Sequence, residues 1–257
     1  MEFLIIPIAA FIASGLTLFS GFGLGTLLMP VFAIFFPVNI AIAMTAVVHL
    51  FNNLFKLTLL GKYADRSAIF KFGLPAILSA LLGAWALLSL SALEPLFSYH
   101  LSGRQFQVMP VKVVVAVLLV FFSIFELTPR FENISFEKRY LPLGGILSGF
   151  FGGLSGHQGA LRSAFLMKCG LSKQGFLGTG VMIACLVDIT RISIYSAHFS
   201  ATGIEENHLL LTSTIVSAFL GAFIGNRLVK KITMRTIQVI VSVMLFGIAV
   251  GLGSGII

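Results

Sequence analysis

Apolar residues dominate this chain in long runs separated by short polar connections. The runs predict membrane-spanning helices over residues 3–36, 38–60, 68–91, 111–128, 140–170, 172–197, 208–229 and 233–256. Pro37, Pro75, Pro110, Pro129 and Pro142 stand at or near the ends of these runs, and Gly61, Gly170 and Gly203 mark turns. The longest polar connections, 91–110 and 128–139, are the size of loops and leave no room for a soluble domain.

Two runs are interrupted. The first carries Ser14-Gly15, then Ser20-Gly21-Phe22-Gly23-Leu24-Gly25, ending at Met29-Pro30. The second carries Ser148-Gly149, then Gly152-Gly153-Leu154-Ser155-Gly156-His157-Gln158-Gly159, running into Arg162. Each lies in an apolar stretch long enough to enter a bilayer but too rich in glycine for one unbroken helix. Interrupted segments at matching places in two halves are the sequence sign of a transporter's binding site.

The halves read as copies. With Ser20-Gly21 set on Ser155-Gly156, Asn53 meets Asp188 and Lys56 meets Arg191 at the same offset. Farther on, the segment Ser79 to Trp85 aligns with Ser217 to Phe223, and small residues at that spacing allow helices to approach closely. The expected fold is therefore an all-α polytopic membrane protein with about eight transmembrane segments in two homologous halves. Residues 1–128 form the first repeat, 129–139 a connecting loop and 140–257 the second repeat. Each repeat opens with a glycine-broken or re-entrant helix. If the broken segments cross the membrane, the copies point the same way; if they are re-entrant hairpins, the copies are inverted.

Composition agrees with a membrane protein: 58% hydrophobic and 10% charged residues, with a mean hydropathy of +1.04. Met1 leads straight into the first run without a basic leader or a small-residue cleavage site, so that run reads as a span and not as a removable signal. The formal charge of +8 is spread over many connections and forms no basic stripe, which argues against nucleic acid and for residues flanking spans. Cys169 and Cys185 are single thiols with no CxxC, so neither a metal framework nor a cofactor motif is implied.

Candidate chemistry gathers at the breaks. Unwound backbone at membrane depth survives only inside protein or beside a water-filled cavity. The helix resuming after each break offers free N–H groups and the positive end of its dipole to an anion. The candidate substrate-binding residues are Ser20, Gly21, Gly23 and Gly25 of the first break, and Ser155, Gly156, His157, Gln158 and Gly159 of the second. Asn52, Asn53, Lys56, Arg162 and Arg191 join them, because a charge at membrane depth needs a partner, a cavity or a substrate. Asp188 and Arg191 stand three apart on a helix and can pair, while Lys56 and Arg191 lie late in their spans and can snorkel. Thr45 and Thr179 suit interhelical contacts. His49, His157 and Asp188 are the candidates for carrying protons in a coupled cycle.

Gly153-Leu154-Ser155-Gly156 also matches the GxSG serine box of rhomboid-type intramembrane proteases. Such a serine needs a base within hydrogen-bond reach, and neither His49 nor His198 is tied to it by the sequence. A metal site from His49, His157 and Asp188 has no ligand spacing to support it.

The two glycine-rich motifs, Ser14 through Pro30 and Ser148 through Arg162, resemble those that open each half of the TauE/SafE family of sulfite exporters, also called the sulfonate uptake permease family. The resemblance covers nearly the whole chain. Phe22, Leu24, His157 and Gln158 stand where many members carry small residues. The resemblance implies secondary transport, as an exporter, of small sulfur-containing anions such as sulfite or organosulfonates across the cell membrane. Its alternatives are another small anion, a metal ion as cargo, or the intramembrane serine protease.

Overall fold

The computed structural model describes residues 1–20, 23–128, 135–198, 207–228 and 234–257. Of the positions named above, Gly21, Phe22, Pro129, Gly203 and residues 129–134 of the connecting loop lie outside the described residues, as do the side chains of Ser20 and His198.

The first run divides into α1 (Glu2–Ser20) and α2 (Leu24–Ala33), followed by α3 (Val38–Leu60). Helix α4 (Arg66–Ser91) starts at Asp65, whose carboxylate accepts a bond of 2.7 Å from the Ala68 amide. It widens to a π-helical turn over Ile69–Gly73. Pro75 follows two residues on, and it has no N–H to give the carbonyl four residues earlier.

The connection expected as a loop over 91–110 contains a hairpin, β1 (Phe97–Leu101) paired antiparallel with β2 (Arg104–Val108), Leu101 opposite Arg104. Ser102 and Gly103 close it at φ 52° and 77°, the positive pair that a two-residue hairpin turn requires. The apolar alternation Phe97, Tyr99, Leu101 is what the loop reading overlooked. Tyr99 ties the hairpin to the chain's end by donating to the Ser254 carbonyl at 2.7 Å.

Helix α5 (Pro110–Leu127) completes the first half. The second consists of α6 (Leu141–Ser155), α7 (Gly159–Leu166), α8 (Lys173–His198), α9 (His208–Leu228) and α10 (Met234–Ser254). Three helical stretches, Val38–Tyr63, Arg66–Ser91 and Lys173–Ala197, are long and apolar enough to cross a membrane, and shorter apolar helices accompany them. Large apolar side chains such as Leu78, Leu82, Trp85, Val117, Phe223, Val243 and Val250 point outward, as lipid-facing positions do.

Packing follows an exchange of halves. Helix α1 lies against α9 and α6 against α4, α3 lies against α8, and α5 against α10. Swapping α1 with α6, α3 with α8, α4 with α9 and α5 with α10 leaves this pattern unchanged. Helices α3 and α8 run antiparallel: Asp65 just past α3 bonds Thr179 near the start of α8 at 2.8 Å, while His49 reaches Asp188 farther on.

Helix α7 folds back along α6. The Phe136 ring stacks on Phe165 at 4.2 Å between centroids, the Phe136 amide donates to the Ala164 carbonyl at 3.2 Å, and Phe165 lies over Gly144. The end of α7 therefore returns to the beginning of α6.

The α6 face that meets α4 is built of glycine. Gly145, Gly149 and Gly153 back directly onto the carbonyls of Phe72, Ala76 and Ala80, so that no β-carbon fits at any of them. Gly83 of α4 meets the Phe150 carbonyl in the same way, and its counterpart Gly221 on α9 meets Phe11 of α1. Gly153, read from the sequence as part of an unwound loop, is thus a helix-packing glycine.

Candidate functional site

The two breaks meet in the middle of the fold. Gly23 precedes α2 in an extended conformation, and Gly25 sits where a β-carbon would lie 3.6 Å from the Gly156 carbonyl oxygen. Helix α6 stops because Gly156 adopts a left-handed φ of 83°, a conformation that glycine reaches without a Cβ clash. Its amide closes the last turn on the Gly152 carbonyl at 3.0 Å.

Beside this junction lies a cavity. Its buried floor is formed by Thr17, Gly23 and Leu24 of the first break, His49, Asn53 and Lys56 of α3, and Arg162 of α7. Its half-buried rim is formed by Leu60, Ser163, Phe176, Leu177 and Val181, so it opens where α3 ends and α8 begins. Two cations face it, Lys56 at 6% exposure and Arg162 at 8%, and among the described residues no acidic side chain lines it. Arg162 Nη1 donates to Gln158 Oε1 at 3.1 Å, one turn earlier, which holds the guanidinium in place. No hydrogen bond or ion pair joins Lys56 to a carboxylate among the described residues.

Behind the floor is a closed network centred on Asp188. Its Oδ2 accepts from His49 Nδ1 at 2.6 Å, and its Oδ1 from Arg191 Nε at 3.0 Å, Arg191 Nη2 at 2.8 Å and Gln158 Nε2 at 3.3 Å. Asp188 and Arg191 are both fully buried. The i,i+3 pairing expected from the sequence is therefore present, whereas the snorkelling expected for Lys56 and Arg191 is not. Arg191 is enclosed in protein, and Lys56 ends in the cavity. Asn53 bridges cavity and network, its amide 3.3 Å from His49 Nε2.

The other candidates are divided. Asn52 is turned away from the cavity and accepts from the Ser14 hydroxyl at 2.9 Å. Ser155, Gly156 and His157 do not line the cavity; His157 stacks on Phe122 at 5.3 Å, with an interplanar angle of 11°, and its Nδ1 donates to the Ser155 carbonyl at 3.1 Å. The Ser155 hydroxyl lies 3.2 Å from the same nitrogen but donates to the Phe151 carbonyl at 3.1 Å. That engaged, buried hydroxyl away from the cavity is poorly arranged as a nucleophile. Gln158 serves the site through Arg162 and Asp188, and Gly159 is the first residue of α7. Thr179 joins two segments through Asp65, as expected, while the Thr45 hydroxyl has no hydrogen-bond partner among the described residues.

Sequence reasoning overlooked Thr17, Ser163 and Tyr195. The first two lie one helical turn from a break or directly beside Arg162, which is the signal that could have found them. Tyr195, one turn past Arg191, is buried and its hydroxyl donates to the Gly153 carbonyl.

Apolar helices with outward-facing aliphatic and aromatic residues, folded around a cavity lined by buried cations, define a helical membrane protein of the transporter class. The chain belongs to the sulfite exporter TauE/SafE family, whose model matches residues 6–252. Members of that family are transporters and not enzymes, so this chain is a membrane transport protein. No curated protein and no solved structure matches it.

Proposed function

We propose that this protein is a secondary transporter that exports small sulfur-containing anions such as sulfite or short organosulfonates. The observation that carries the reading is the pairing of Lys56 and Arg162 in one cavity without an acid. Two buried cations face the cavity, and the nearest buried carboxylate, Asp188 behind its floor, is already engaged by His49 and Arg191, which favours an anion there. A sulfur oxyanion offers several acceptor oxygens, which suit a guanidinium fork, an ammonium and the hydroxyls of Thr17 and Ser163. His49, bonded to Asp188 on the cavity floor, is the residue through which a proton would couple to the anion. His157, packed against Phe122 outside the cavity, is less suited to that task.

The architecture we propose has two inverted repeats, 1–128 and 140–257, joined by 129–139. In each, the broken segment is a re-entrant hairpin and three further helices cross the bilayer. The return of α7 along α6, the antiparallel α3 and α8, and the exchange of packing partners support this over a parallel repeat.

The test is thermal stabilisation of the purified protein by sulfite, thiosulfate, sulfate, short sulfonates and carboxylates, followed by counterflow in proteoliposomes. Binding to the folded state raises the unfolding midpoint by mass action. A shift selective for sulfur oxyanions, lost together with counterflow in Arg162→Ala, is expected. Undiminished counterflow in a well-inserted Arg162→Ala protein would overturn the site, and a carboxylate-selective shift would overturn the cargo.

A further inference from the structure

The cavity opens at one end of the α3–α8 pair and is shut at the other. Exchanging the halves carries the residues of the open end onto those of the shut end: Lys56 onto Arg191, Leu60 onto Tyr195, Gly180 onto Thr45 and Val181 onto Ala46. The shut end is fully packed, with Arg191, Tyr195, Thr45 and Ala46 all at 0–1% exposure. Two polar atoms there make no hydrogen bond of their own among the described residues, the hydroxyl of Thr45 and Nη1 of Arg191, whose guanidinium lies beside the Tyr195 hydroxyl. Buried polar atoms are nearly always paired, so each orphan needs a reason. The Arg191 nitrogen is aimed at the second break: a β-carbon on Gly156 would lie 2.9 Å from it. Helix α8 is fastened to the last turn of α6 one turn farther on, where Tyr195 donates to the Gly153 carbonyl.

We infer that Arg191 and Thr45 are the anion ligands of the oppositely open conformation, held in reserve behind a latch made by Tyr195 and Gly153. The inference rests on the anion-transport reading above and adds a second set of ligands to it. In the present conformation the anion meets Lys56 and Arg162. When the latch parts and the opposite end opens, Arg191 Nη1 and the Thr45 hydroxyl turn their free donors to the anion. Asp188 then keeps His49 as its partner. Lys56 of the first repeat thus faces one side of the membrane and Arg191 of the second the other.

Two measurements on the full-length protein test this. In a background carrying Cys169→Ser and Cys185→Ala, single cysteines are placed at Val181 and Ala46 and labelled with a polar maleimide. Val181→Cys should label rapidly and Ala46→Cys slowly, and adding Tyr195→Phe should speed Ala46→Cys at least about fivefold, since loss of the latch shifts the population toward the opposite state. Unchanged labelling of Ala46→Cys would overturn the latch whatever the cargo. The second measurement compares sulfite-induced stabilisation with sulfite counterflow in Thr45→Val and Arg191→Lys. Stabilisation close to that of the parent with counterflow reduced about tenfold is expected, because the open-state ligands are intact. Undiminished counterflow would overturn the second set of ligands. Loss of stabilisation as well would mean that these residues serve the present conformation, which also overturns it. Failure of sulfite to stabilise the parent would count against the anion reading and leave the labelling result to judge the latch.

Discussion

Gly25 faces the carbonyl oxygen of Gly156, so the two breaks of the chain touch: a β-carbon at Gly25 would sit 3.6 Å from that oxygen and 3.7 Å from Thr45 Cγ2. Both are ordinary contact distances. Gly156 differs, since its φ of 83° disfavours any side chain and its missing β-carbon would lie 2.9 Å from Arg191 Nη1. Gly25→Ala should therefore change stability by less than about 0.5 kcal/mol. Gly156→Ala should cost roughly 1–2 kcal/mol from backbone handedness alone. Thermal unfolding in detergent compares them, and equal midpoints would contradict the left-handed turn.

The Asp188–Arg191 pair sets up a second contrast. Removing one partner of a buried ion pair leaves the other charge uncompensated, at a cost of about 3–5 kcal/mol. Asp188→Asn should destabilise strongly, because His49 and Arg191 lose the carboxylate charge and one of its two acceptor oxygens is replaced by a donor. The double variant Asp188→Asn/Arg191→Gln should recover most of the loss. A double variant no more stable than Asp188→Asn would show that the pair does not act as a unit.

Glycines at α6 positions 145, 149 and 153 predict where bulk is not tolerated. Their β-carbon sites are occupied by the backbone of α4, whereas nothing lies within 4 Å of the corresponding site at Gly247 on α10. Gly149→Val should cost at least the ~1–3 kcal/mol typical of overpacking and reduce the yield of folded protein. Gly247→Ala should be neutral or mildly stabilising. Fluorescence-detected size-exclusion profiles on heating distinguish the two.

Sequence carried the all-helical, apolar character of the chain and the end of α6 at Gly156, because both depend on local properties, run length and glycine content. Arg162 was legible for a related reason: a guanidinium one turn after a break in an apolar run has nowhere cheap to go. The pairing of Asp188 with Arg191 followed from i,i+3 spacing. What was not legible depends on neighbours distant in the chain. Asn52 and Asn53 are adjacent, yet about 100° apart around a helix, so one meets Ser14 and the other the cavity. Lys56 and Arg191 align at the same offset in the sequence, but Asp188 and Gly156 pack against Arg191 and enclose it, whereas Lys56 lines the cavity. His157 was set by Phe122, far away in sequence, and Gly153 by the approach of α4.

Lys56 supplies the last prediction. It is a buried cation with no carboxylate among the residues lining its cavity, and Arg162 shares that cavity. Such a charge opposes folding in the absence of an anion, and functional sites commonly carry this kind of cost. Lys56→Met retains most of the aliphatic stem and removes the charge. The variant should unfold at a higher temperature than the parent when no anion is present. It should also lose most of the stabilisation that sulfite gives the parent, because one of the two cations is gone. Opposite signs in the two measurements distinguish a ligand-binding lysine from a structural one, for which neutralisation would lower the anion-free midpoint. A Lys56→Met protein less stable than the parent without anion, yet equally stabilised by sulfite, would remove Lys56 from the site and leave Arg162 to bind alone.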